Sequence, residues 1–119
     1  MSEPILDSMR AIEDDFADAM SRMYGVGKVP ARARRLVHIT YEALARGLAV
    51  IKPGATLGDV GHAIQQYAES ERFSVVREYC GHGIGRVFHE EPQVVHYGRA
   101  GTGLELQAGM IFTIEPMIN

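Results

Sequence analysis

The chain has 119 residues, of which 46% are apolar and 23% are charged, and its formal net charge is −3. This length fits one domain with a buried core. The charge gives no electrostatic reason to expect a nucleic acid or an anionic membrane as partner, and no apolar run is long enough for a membrane span. A single cysteine, Cys80, excludes an internal disulfide and favours a reducing compartment. We therefore expect a cytoplasmic protein.

Three helices are predicted in the first part of the chain. The first covers residues 5–24, where apolar side chains recur at steps of three and four. The second follows Pro30 and ends at the Lys-Pro-Gly sequence of residues 52–54, because proline and glycine cannot sustain a helix. The third has Thr56 as its cap and Asp59 as a capping-box partner. The stripes expected to be buried are Leu36, Ile39 or Thr40, Leu44 and Leu48 in the second helix, and Val60, Ile64, Tyr67 and Ala68 in the third.

Strands are predicted in the last third of the chain. Residues 73–80 are rich in aromatic and β-branched side chains and predict a strand that enters a glycine loop. Residues 87–98 predict a strand, a turn and a short strand. A turn at residues 108–109 precedes a predicted strand over residues 110–115. Helices followed by strands favour an α+β fold, with two or three helices packed on one face of a mostly antiparallel sheet.

The most unusual stretch is YCGHGIGRVFHEEPQVVHYG, residues 79–98, with three histidines and four glycines. Two of those glycines flank His82 and leave its backbone open to close approach, and an imidazole at a strand end is a common metal ligand. Glu115 lies in the strand-like FTIEP, where its carboxylate must face a cation or water because burial alone is costly. Taken singly, a loop histidine is more often structural and a strand glutamate more often faces solvent. Each residue alone therefore leaves both interpretations open.

Other residues in this stretch have simpler interpretations. His96 and Tyr97 are predicted to be surface strand residues. Cys80 is more typical of a small buried side chain than of a nucleophile. The glycine loop lacks the lysine-serine ending of a phosphate loop and the glycine pattern of a dinucleotide site.

The segments EYCGHGIGRVFHEEPQVVHYG and LQAGMIFTIEPMIN resemble the type I methionine aminopeptidases, within the pita-bread metallopeptidase group. The resemblance covers residues 30–119 and implies half of a pita-bread fold, with residues 1–29 as a divergent N-terminal helical segment. It also implies that N-terminal methionine is removed from peptides by water activated by divalent metal ions. Cobalt, manganese, iron or zinc would suit the mixed nitrogen and oxygen ligands.

The same resemblance implies roles for individual residues. His82 and Glu115 match metal ligands of the family. His89 matches a catalytic histidine that hydrogen-bonds the substrate and the tetrahedral intermediate. The positions that match the pocket for the methionine side chain are Tyr79, Cys80 and Phe88.

The ligand set implied by the resemblance is incomplete in this sequence. It includes two upstream aspartates, and a second glutamate that would follow Asn119. Asp18 is the possible upstream ligand, but it stands one position before the place that the pattern requires, which Ala19 occupies. A slip of one residue turns a strand side chain to the opposite face. We therefore expect a truncated chain that is inactive as a monomer, and whether it binds metal ions is left open.

Two functions remain as hypotheses. In the first, the chain is a metallopeptidase whose site another chain completes. In the second, it is a non-catalytic pita-bread-like module with a binding or structural role. A half-domain leaves an unpaired sheet edge and an uncovered apolar face, so a homodimer or a partner chain is expected in both cases.

Overall fold

The computed structural model describes residues 23–119. Two helices, α1 (Ala31–Ala49) and α2 (Leu57–Ser70), precede a two-stranded antiparallel sheet of β1 (Gly81–Gly83) and β2 (Glu90–Val94). The predicted α+β class is confirmed. The candidate ligand Asp18 and residues 5–22 of the helix predicted over residues 5–24 lie outside the described residues, and residues 23–24 are not helical. The division of the chain at residue 30 stays a prediction.

Two of the three buried residues of helix α1 are small. Its buried residues are Ile39, Ala43 and Gly47, while the predicted Leu36, Leu44 and Leu48 are only half-buried. A Cβ atom on Gly47 would lie 2.8 Å from side-chain carbons of Ile64 in α2. The two helices therefore approach closely where α1 has its smallest residues, and the larger leucines flank the contact.

Helix α2 begins with the predicted capping box. The backbone N–H of Asp59 donates to the Thr56 hydroxyl over 3.1 Å, and the Thr56 N–H donates to the Asp59 carboxylate over 2.9 Å. The predicted stripe is confirmed at Val60, Ile64 and Ala68, which are fully buried, while Tyr67 is half-buried against the core. The capping box thus gives a side-chain acceptor to two N–H groups at the start of the helix, where the regular helical hydrogen bonds are not yet available.

The loop after residue 96 is fixed to the first turns of α2. The N–H of Gly58 donates to the carbonyl of Thr102 over 2.8 Å, and the N–H of Gly101 donates to Asp59 over 2.7 Å. A Cβ atom on Gly61 would overlap the carbonyl of Tyr97. Gly58 and Gly61 therefore allow the loop backbone to approach the helix closely, which a larger residue at either position would prevent.

The extended segments pair less regularly than predicted. Residues 73–80 form no continuous strand, and Val75 alone bridges Ile118. Residues 87–89 bend, so the predicted strand there begins only at Glu90. Residues 110–115 contribute one bridge, from Phe112 to Gly83. A segment rich in β-branched and aromatic residues tends to be extended and half-buried. This composition does not ensure that a neighbouring strand pairs with it along its whole length.

The turn at residues 108–109 places the following segment beside β1. β1 pairs with β2 antiparallel, with His82 opposite Gln93 and a bulge between His82 and Gly83. The predicted turn at Ala108 and Gly109 is confirmed, and Gly109 has a φ of 93°, which favours glycine. This turn leads the chain across the open side of β1.

One hydrophobic core joins the helices to these segments. Its buried members are Ala43, Ala55, Leu57, Val60, Ile64, Ala68, Val75, Val94, Leu106 and Ile118. Within residues 23–119, no helix has the length and apolar character needed to cross a membrane.

Candidate metal centre

His82 lies at the middle of β1, where the segment around residue 113 crosses it. The N–H of His82 donates to the Thr113 hydroxyl over 3.0 Å, and the N–H of Thr113 donates to the His82 carbonyl over 2.8 Å. A Cβ atom on Gly81 would overlap the Thr113 carbonyl. The glycine before His82 thus allows the close approach predicted for this loop, although the neighbour is the chain's own backbone.

The structure brings His82 and Glu115 together. Nε2 of His82 lies 3.2 Å from Oε1 of Glu115, and the same oxygen accepts a 2.6 Å hydrogen bond from the Thr113 hydroxyl. The imidazole is largely buried, with 13% of its side chain exposed, while 46% of the Glu115 side chain is exposed. The pair therefore lies at the surface, with its nitrogen end sheltered.

The other ring nitrogen of His82 indicates which tautomer is present. Nδ1 lies 3.0 Å from the Gly83 carbonyl, which can only accept a hydrogen bond, so Nδ1 carries a hydrogen. In the neutral ring, Nε2 then presents a lone pair to the Glu115 carboxylate. Two acceptors at 3.2 Å repel each other unless a proton or a metal cation lies between them.

The spacing of this pair fits a shared metal ion. Donors that bind one first-row ion at about 2.0–2.2 Å, in tetrahedral or octahedral geometry, lie roughly 2.9–3.5 Å from each other. The 3.2 Å between His82 and Glu115 falls in that interval. An imidazole whose second nitrogen donates to a backbone carbonyl is also the usual state of a ligating histidine. The two residues thus fit a divalent cation in both distance and chemistry.

Two more aromatic rings lie beside His82 on its exposed side. The His89 ring centroid is 4.1 Å from that of His82, and the Phe88 ring is 4.6 Å from that of His89. Phe88 is 68% exposed. Of the other residues assigned to the substrate pocket by resemblance, Tyr79 is exposed and Cys80 is half-buried, directly before β1.

His96 belongs to this site, and its prediction as a surface residue was wrong. It is 1% exposed, and its Nε2 accepts a 2.9 Å hydrogen bond from the Glu115 N–H. Burial lowers the pKa of His96 below its ordinary value, and the nearby Glu115 charge opposes that change. Within the part of the chain that the structure describes, Nδ1 of His96 has no hydrogen-bond partner.

A period-two pattern could have located His96. Val94 is fully buried at the end of β2, and in extended chain the residue two positions later points to the same face. Thr113 was also missed, since a threonine in a strand-like segment carries no mark of a polar role.

The described residues provide two clustered donors. Among residues 23–119, no group of three histidine, cysteine, aspartate or glutamate side chains is arranged to hold a metal ion. His82 and Glu115 are thus two paired donor groups, fewer than the three protein ligands of a usual catalytic metal site.

Comparison with known proteins places this geometry in a family. The model of metallopeptidase family M24 matches residues 3–119. The chain belongs to metallopeptidase family M24. Its members are peptidases that depend on metal ions, which agrees with the donor pair at His82 and Glu115.

Curated relatives in family M24 match over most of this chain. Methionine aminopeptidase of Rickettsia prowazekii is 56% identical over 108 residues, covering 91% of this chain and 42% of that protein. Methionine aminopeptidase B of Synechocystis is 59% identical over 99 residues, covering 83% and 36%. The chain thus spans about two fifths of the length of these relatives.

Solved M24 structures confirm the predicted half of a pita-bread fold. The crystal structure of methionine aminopeptidase from Rickettsia prowazekii superposes with a TM-score of 0.80 at 59% identity, covering 82% of this chain and 40% of that one. Prolidase from Pyrococcus furiosus superposes with a TM-score of 0.65 at 28% identity, covering 80% and 27%.

Proposed function

We propose that the chain carries part of a methionine aminopeptidase active site, in which His82 and Glu115 bind a divalent ion, with cobalt, manganese, iron or zinc as the candidates. The observation that supports this most is the 3.2 Å approach of Nε2 to Oε1, with Nδ1 donating to the Gly83 carbonyl. Relatives named methionine aminopeptidases, at 56% and 59% identity, support the same substrate class, peptides with an N-terminal methionine.

The residues around the pair have distinct tasks in this proposal. A bound divalent ion lowers the pKa of water and polarises the scissile carbonyl. Glu115 offsets the charge of that ion, and His82 holds it through a neutral nitrogen. His89, exposed and 4.1 Å from the His82 ring, donates a hydrogen bond to the carbonyl oxygen as negative charge develops there.

A pocket for the methionine side chain would form on the exposed side of these rings. Phe88 lies there, 5.6 Å from the His82 ring, and supplies an apolar surface. Tyr79 and Cys80, immediately before β1, are the other proposed members. A thioether packs well against aromatic edges.

We propose further that a second chain, either another copy in a homodimer or a partner, covers the exposed side of the site. Large apolar side chains there are open to water: Val87, Phe88 and Ile111 are 59–68% exposed. Such exposure is costly for a monomer and typical of an association surface. The covering chain would also supply the missing ligands.

The cytoplasm is the proposed compartment, in agreement with the single cysteine.

A non-catalytic module is not favoured. Relatives named as aminopeptidases match 83–91% of this chain, and the two donors expected from the resemblance meet at one point. A module without catalytic function has no need to keep that approach.

Titration calorimetry with manganese or cobalt tests the proposal, with hydrolysis of a methionyl peptide and molecular mass measured on the same samples. We expect binding that His82→Ala abolishes and that His38→Ala, at an exposed position of α1, leaves unchanged. Hydrolysis should accompany a dimer or a completed complex. No heat with the wild type, or equal heat with His82→Ala, would contradict the proposal.

A further inference from the structure

A single hydroxyl group connects the two proposed ligands. Oγ1 of Thr113 accepts the backbone N–H of His82 at 3.0 Å and donates its own hydrogen to Oε1 of Glu115 at 2.6 Å. That oxygen of Glu115 is the one that lies 3.2 Å from Nε2 of His82. Thr113 thus contacts the backbone of one proposed ligand and the donor atom of the other.

The chemistry of a hydroxyl explains why it can do both. Its hydrogen points to a carboxylate, which only accepts, and its lone pairs remain for the N–H of His82. Serine could make the same two contacts. Valine, with the shape of threonine, could make neither.

The backbone of Glu115 is held separately. Its N–H donates to the buried Nε2 of His96 at 2.9 Å. This bond does not hold the Glu115 side chain, which is 46% exposed and would rotate in water without a hydrogen bond of its own. Ordering a long flexible side chain costs conformational entropy, and the short, charge-assisted hydrogen bond from Thr113 offsets that cost before any ion arrives.

We propose that Thr113 is a positioning residue that holds the Glu115 carboxylate against Nε2 of His82, so that the pair is arranged for a cation in advance. This inference rests on the proposed function. Removing an outer hydrogen-bond partner of a ligand typically weakens metal affinity about 10- to 100-fold, and a similar loss is expected on removal of this hydroxyl.

The test uses the 119-residue chain and three variants: Thr113→Val, Thr113→Ser and the control Thr40→Val. Thr40 also makes a 2.7 Å hydroxyl hydrogen bond, but to the Leu36 carbonyl within α1. Two quantities are measured. One is cobalt affinity by titration. The other is amide hydrogen exchange of His82 without metal, relative to that of Leu57, whose N–H donates to the Leu104 carbonyl away from the pair.

Thr113→Val should weaken cobalt binding about 10- to 100-fold and speed the relative exchange of the His82 amide by roughly three- to tenfold. Thr113→Ser should restore both toward wild type, and Thr40→Val should change neither.

Three results would overturn the inference: unchanged exchange in Thr113→Val, faster exchange with unchanged cobalt affinity, or failure of serine to restore either quantity. Should the wild type bind no cobalt, the proposed metal centre fails. Unchanged exchange in Thr113→Val would then separately overturn the role of Thr113, because its hydroxyl would not hold the His82 N–H.

Discussion

The helical side of the molecule and the side that carries His82 and Glu115, the proposed metal centre, differ in how completely they are packed. On the helical side, Val60, Ile64 and Ala68 are fully buried between the two helices and the following segments. Around the centre, Phe88 and Ile111 are each 68% exposed. The first region buries its apolar residues within this chain, and the second leaves them in contact with water.

This difference indicates where stability and function reside. The helical side is stabilised by contacts within this chain: a capping box starts α2, and glycines in both helices allow close contacts. The side with the centre has two donors, bridges of one residue and exposed rings. Stability should therefore respond to changes in the helices, and metal binding to changes around β1.

The largest stability effect is expected from Ile64→Ala. Ile64 is fully buried, and its side chain packs against Gly47 of α1. The truncation should leave a cavity and lower the free energy of unfolding by about 2–5 kcal/mol. Urea unfolding followed by circular dichroism measures it. The matched variant Ile111→Ala removes the same group from an exposed site and should cost less than about 0.5 kcal/mol. Similar losses for both would remove the contrast between the two regions.

Gly61→Ala should reverse the usual sign of a helical glycine substitution. Alanine in a helix interior normally stabilises by about 0.5–1 kcal/mol. At this position its Cβ would overlap the Tyr97 carbonyl, and a shift of the loop should cost about 1–3 kcal/mol instead. Urea midpoints decide the sign. A more stable Gly61→Ala variant would show that the loop is not fixed on α2.

The smallest effect concerns acid stability through Asp59. Hydrogen bonds from the N–H groups of Thr56 and Gly101 lower the pKa of this carboxyl below its ordinary value of 3.8. A lowered pKa in the folded state stabilises the protein above the unfolded pKa, and this contribution disappears as pH falls through the folded value. Asp59→Asn should therefore cost stability at pH 7, and less below about pH 4.

Urea midpoints at pH 7 and pH 3 check the Asp59 prediction. The variant Glu78→Gln, at an exposed position, is the control for loss of one carboxylate. A loss in Asp59→Asn that stays equal at both pH values would mean that the hydrogen-bonded carboxylate is not the cause.

Sequence reasoning predicted the helices well because their determinants are local. Pro30 and Thr56 precede the two helices, and the apolar stripe of α2 follows the helical period. It was wrong about strand length over residues 73–80 and 110–115, because pairing there depends on distant partners, such as Ile118 for Val75.

The site was predictable only in part, for a related reason. Glycines around His82 and the carboxylate of Glu115 suggested two ligands, and the family resemblance joined them. The residues that hold Glu115 were missed. His96 is buried by tertiary packing, and Thr113 contacts His82 across 31 positions of sequence.

X-ray absorption at the zinc edge of the zinc-loaded chain tests the central claim most directly, since it reports the atoms bound to the ion. We predict an imidazole nitrogen at about 2.0–2.1 Å, lost in His82→Ala, and one oxygen fewer in Glu115→Gln. Identical spectra from the wild type and the double variant would contradict the claim that these two side chains share a cation.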